Sequence, residues 1–149
     1  MKNNLSRTKS TQKLQRYLAI IGMIICLVAV AIIWQAISAY QSMWPLPGLY
    51  FVEMIAACGV GMWSIWSIES SQSLLRGFLV WVVVGILFAF IFMGAASVGF
   101  LFMPVAVLFA IAAILVDRRE TRYQLHHMGV AVAAALIQAV LMVVIVQLL

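Results

Sequence analysis

One acid stands where an acid is expensive. Glu53 lies within an apolar stretch, and an ionisable side chain inside a membrane-spanning helix marks a functional position by default. Burial leaves such a carboxyl two options: it is protonated by desolvation, or ionised beside a buried partner. No Lys or Arg falls within that stretch. Hydrogen bonding from Gln35, Tyr40, Gln41 or Tyr50 is the remaining route. Glu53 is therefore the candidate proton- or cation-binding group. A competing interfacial role depends on where its helix begins, because a small shift in that start brings the carboxylate to the headgroups.

The other reactive side chains form no recognisable chemistry. Cys26 and Cys58 are the only cysteines, with no CxxC spacing, and both fall mid-way along apolar runs. Buried thiols of that kind are inert packing groups. His126 and His127 are adjacent, so they do not share a helix face, and no Cys or further His stands at metal-ligand spacing. No cofactor or metal motif is present, and no catalytic constellation, since intramembrane catalysis needs several polar groups converging at one depth. The chain reads as a non-enzyme.

The elements that must position Glu53 follow from composition. The sequence is 66% hydrophobic and 9% charged, whereas a soluble domain is about one quarter charged. Too few polar groups exist to cover a water-facing surface, so the solvent over most of the chain is lipid. Charge is absent from 17 to 52, from 77 to 116 and from 128 to 149. A bilayer core of about 30 Å needs roughly 20 helical residues, and each run meets that length.

Helix 1 is expected over about 17–39. It is longer than a signal-peptide apolar core and is followed by more apolar segments, so an uncleaved span is expected. Pro45, Pro47 and Gly48 break the chain before helix 2, about 47–68, with Trp63 and Trp66 near its inner end. The run 77–116 would be about 60 Å long as one helix, twice the hydrocarbon thickness, so it must fold back. The small residues from Gly94 to Gly99 supply the turn. Helix 3 is then about 76–93, helix 4 about 99–116, and helix 5 about 128–149, with His126 and His127 in the loop before it.

Charge supports the same arrangement. All nine basic residues fall at 2–16, at Arg76, or at Arg118, Arg119 and Arg122. Five crossings place them all on one side, as the positive-inside rule requires. The sequence thus predicts an all-α integral membrane protein: a bundle of five transmembrane helices, N-terminus cytoplasmic and C-terminus on the outer side. A basic polar tail, 1–16, precedes a single transmembrane domain, 17–149.

Close packing in lipid relies on small residues. Glu53, Ala57, Gly61 and Ser64 share one face of helix 2; Ala106, Ala110 and Ala113 line helix 4. On helix 5, Gly129 and Ala133 lie on one face, and Ala131, Ala135 and Gln138 on a second. Expected partners are the bilayer itself, anionic lipid headgroups at the basic segments, and either a membrane-protein partner or a second copy. Nothing points to nucleic acid, since no folded platform accompanies the basic tail. The simplest home is a bacterial inner membrane. The expected function is an accessory, assembly or scaffold subunit of a membrane complex. The alternative is a small oligomeric transporter or channel using Glu53 with Gln35 or Gln138 along a polar path.

Overall fold

The computed structural model describes residues 2–39, 46–67, 73–94, 98–117 and 124–148. They form five α-helices: α1 Lys2–Ser38, α2 Leu46–Trp66, α3 Ser73–Met93, α4 Met103–Asp117 and α5 Gln124–Leu148. A 3-10 turn, Gly99–Phe102, leads directly into α4. Four helical segments are long and apolar enough to cross a membrane, within α1, α2 and α5 and in α4 taken with its 3-10 turn (Gly99–Asp117), and the apolar part of α3, Gly77–Met93, is shorter than the 18 residues of such a span.

Local sequence explains the boundaries. Pro47 occupies the second residue of α2, where the missing N–H would be unsatisfied anyway, and Pro104 stands where the 3-10 turn passes into α4. The α3–α4 hairpin is pinned by Gly94 N–H to Phe90 O at 2.9 Å and Gly99 N–H to Gly94 O at 2.8 Å. The two glycines meet backbone to backbone: a Cβ on Gly99 would lie 2.6 Å from the Gly94 carbonyl carbon and 2.7 Å from Ile91 O. Expectation and structure agree at this turn, although 95–97 lie outside the described residues.

Two boundaries differ in ways that matter. The segment expected as a polar tail is helical from Lys2 and continuous with the first span, because no glycine or proline interrupts residues 2–21. Helix α5 begins at Gln124 rather than 128, which brings His126 and His127 out of the expected loop and into its first turn. No breaker separates Gln124 from Gly129. The connections 40–45, 68–72 and 118–123, with Tyr40, Gln41, Pro45, Glu69, Arg118, Arg119 and Arg122, lie outside the described residues.

Helices α1 to α4 close a ring, each packing on the next and α4 returning to α1, while α5 packs chiefly on α3. Named contacts give the directions. Along α1 and α2, Trp34 meets Phe51 at 6.1 Å between ring centroids, Cys26 meets Cys58, and the Arg16 guanidinium lies 5.8 Å over Trp66. One series ascends as the other descends, so α1 and α2 are antiparallel. Tyr50 meets Phe90 edge-on at 5.7 Å, whereas Gly61 faces Val83, so α2 and α3 are antiparallel too. By contrast, α3 and α5 run parallel, with Trp81 and Gly85 level with His127 and Ala131.

The ring is centred on Phe109, which is fully buried. Its ring enters the space left by two glycines: a Cβ on Gly22 would lie 3.0 Å from Phe109 Cε2, and one on Gly61 2.7 Å from Cε1. A large side chain on α4 is thus seated where α1 and α2 have none. Gly85 plays the corresponding part outside the ring, since a Cβ there would collide with the Ala131 carbonyl oxygen of α5. Close approach of this kind replaces the hydrophobic drive that lipid does not provide.

Candidate functional site

Two polar clusters tie the helices together, one toward each end of the bundle. Glu53 belongs to the first. It sits seven residues inside α2, about 10 Å along the axis from Leu46. Ala57, Gly61 and Ser64, on the same face, are buried, and the Ser64 hydroxyl donates to Val60 O at 2.8 Å. Glu53 itself is half-buried at the edge of this face, turned away from the ring and toward α5. Its Oε1 accepts a 2.6 Å hydrogen bond from Gln138 Nε2.

Gln138 is 5% exposed and lies beside Ala131 and Ala135, the small face of α5 that packs against α3. The other face, with Gly129 and Ala133, is exposed. Of the partners anticipated for Glu53, Gln35 is exposed and Tyr50 packs against Phe90. The amide that reaches Glu53 comes instead from a residue 85 positions away in sequence.

The second cluster was not anticipated. Asp117, the last residue of α4, is 3% exposed. Trp81 Nε1–H of α3 donates to its Oδ2 at 2.8 Å, and His127 Nδ1 of α5 lies 2.8 Å from its Oδ1. With a carboxylate as acceptor, the histidine nitrogen carrying the proton in this bond is Nδ1. Both carboxyl oxygens are engaged, and three helices are joined through one side chain. Gly77 borders the cluster, where a Cβ would stand in ordinary contact, 3.5 Å from His127 Cε1 and 3.8 Å from Asp117 Oδ1. Asp117 in the sequence opens a strongly polar run, which reads as a solvated helix end; the structure turns it inward.

Sequence spacing gives only part of this cluster. Trp81, Asp117 and His127 each lie within about two turns of the end of a helix expected on one side, which fixes a common level. Which face of α3 carries Trp81 depends on helix packing, and His127 enters only because α5 starts early.

Two further buried groups complete the polar inventory. Cys26 and Cys58 are fully buried, and their thiols hydrogen-bond to each other where α1 crosses α2. Gln15 is 2% exposed on the α1 face that also carries Ala19, Gly22 and Cys26, and its Nε2 has no partner among the described residues.

Comparisons with protein-family models, curated proteins and solved structures find no match for this chain.

Proposed function

We propose that this chain is a five-span membrane protein, N-terminus cytoplasmic and C-terminus outside, acting as an accessory, assembly or scaffold subunit of a membrane complex. A bacterial inner membrane is the home that fits its size and charge pattern. The fifth crossing is α3. Its 21 residues extend about 32 Å, it packs against α2, α4 and α5, and it runs antiparallel to α2 and parallel to α5. A helix in that position crosses wherever its neighbours cross. All nine Lys and Arg then fall on one side.

The observation that carries the subunit reading is how the buried polar side chains are used. Asp117 is engaged by Trp81 and His127, Glu53 by Gln138, and Ser64 by its own helix. Each of the first two clusters joins different helices, which is the work of a scaffold. Meanwhile α5 presents Val132, Leu136, Val140 and Val143 outward as one exposed apolar face. That face suits lipid or the helix of a larger partner. Co-purification in mild detergent tests the reading: a stoichiometric membrane partner is expected, and a monomer recovered alone overturns it.

A second reading, transport or conduction through Glu53, is favoured by one observation. Glu53 and Gln138, the acid and an amide that such a path would use, are bonded. Proton-coupled flux in proteoliposomes that disappears in Glu53→Gln would support this reading, and flux unaffected by the substitution would sink it.

A further inference from the structure

We infer that the Glu53–Gln138 pair is the head of a binding site for an apolar monocation drawn from the lipid phase. On the α2 side of the contact between α3 and α5 runs a groove of about 300 Å³. Phe78, Val82 and Ile86 of α3 form one wall, and Val130, Ala134 and Gln138 are on the other. The two helices run parallel, so the groove rises about 12 Å from Phe78 and Val130 to Ile86 and Gln138. It ends at the one amide that holds Glu53.

Two properties of this arrangement select the ligand. Every wall residue except Gln138 is apolar, so the body of the occupant must be apolar as well. The head meets a carboxyl with no cation of its own: all nine Lys and Arg lie at 2–16, at 76 and at 118–122, whereas Glu53 is about 10 Å inside the other end of α2. Gln138 supplies a dipole to Oε1 but no charge, and among the described residues Oε2 has no partner. Glu53 is half-buried rather than enclosed, and the wall residue Gln138 is the one bonded to its carboxyl. An unpaired acid in a low-dielectric setting is strongly stabilised by an opposite charge. A cation small enough to be fully hydrated would leave the apolar groove empty; one carrying its own hydrophobic body fills both parts. The inference holds for a subunit and for a transporter alike, because it requires binding and not movement.

The test uses the full chain in nanodiscs of zwitterionic lipid, with tetraphenylphosphonium as probe and tetraphenylborate as an anion of matched shape. Equilibrium dialysis against empty nanodiscs isolates the binding due to protein. Saturable binding of one phosphonium per chain is expected, with no saturable binding of the borate. Glu53→Gln is expected to weaken phosphonium binding about tenfold or more, the effect of removing a single ion–ion attraction. Ala133→Leu, at an exposed wall residue of the groove, fills the groove and leaves the acid in place, and is expected to weaken it as well. It also serves as the second variant should Glu53→Gln not fold. Absence of saturable phosphonium binding, equal binding of both ions, or unchanged affinity in a folded Glu53→Gln protein would each overturn the assignment.

Discussion

Replacing Asp117 by alanine removes the acceptor of two hydrogen bonds at once, and its effect can be worked from the structure. The substitution strands Trp81 Nε1–H and takes away the partner of His127 Nδ1, both in buried residues, 6% and 7% exposed. Interhelical hydrogen bonds in membrane proteins average about 0.6 kcal/mol and reach about 1.7, which gives roughly 1–3 kcal/mol for two. Stranding a buried donor costs about 1–3 kcal/mol in its own right. Because Asp117 is 3% exposed, water does not readily replace it. The upper part of the range therefore applies, and a loss of about 3 kcal/mol is expected for Asp117→Ala. Asp117→Asn keeps one acceptor oxygen but sets an NH₂ against a donor, so an intermediate loss is expected. Unfolding by sodium dodecyl sulfate in mixed micelles, followed by tryptophan fluorescence, measures both variants. A double-mutant cycle with His127→Ala isolates the shared contact, with coupling of about 0.5 kcal/mol or more expected. Should Asp117→Ala unfold within about 0.5 kcal/mol of the parent, or the two effects simply add, the three-helix latch does not exist as described.

Other contacts give further expectations in the same assay. Glu53→Ala and Gln138→Ala should couple by about 1 kcal/mol, since their bond joins α2 to α5; zero coupling would remove the clasp. Gly85→Leu should destabilise by at least about 1–3 kcal/mol through collision with Ala131, while Gly129→Ala, facing open space, should stay within about 0.5 kcal/mol. Phe109→Ala should cost about 3–5 kcal/mol, because the ring is fully buried between Gly22 and Gly61. In the folded protein Cys26 and Cys58 should resist a maleimide that labels them readily after unfolding, both being fully buried.

Much of this architecture was legible in the sequence because its signals are one-dimensional. Helix count and length follow from the apolar runs, and the hairpin from Gly94 and Gly99, whose backbones touch. Small residues on α2 and α4 also pointed correctly to buried faces, as Ala57, Gly61, Ala106 and Ala113 attest. The polar clusters were less legible, since they depend on azimuth. Glu53 shares a helical face with Gly61, yet it stands at the edge where α2 gives way to α5, so its partner is Gln138 rather than a residue of α1. Asp117 precedes two arginines and a glutamate, a context that spells a solvated terminus. Only the early start of α5, which brings His127 within 2.8 Å, makes it a buried junction. Lipid contributes to the ambiguity: apolar side chains surround every helix, so hydrophobicity does not mark the inward face as it does in water.

The proposed sidedness of both clusters and of α5 depends on whether α3 crosses the membrane. A fusion at Leu149 reports on it most directly. Alkaline phosphatase, active only outside the cytoplasm, should be active there, and green fluorescent protein, which must fold in the cytoplasm, should be dark. A fluorescent, phosphatase-negative C-terminus would contradict the five-span arrangement.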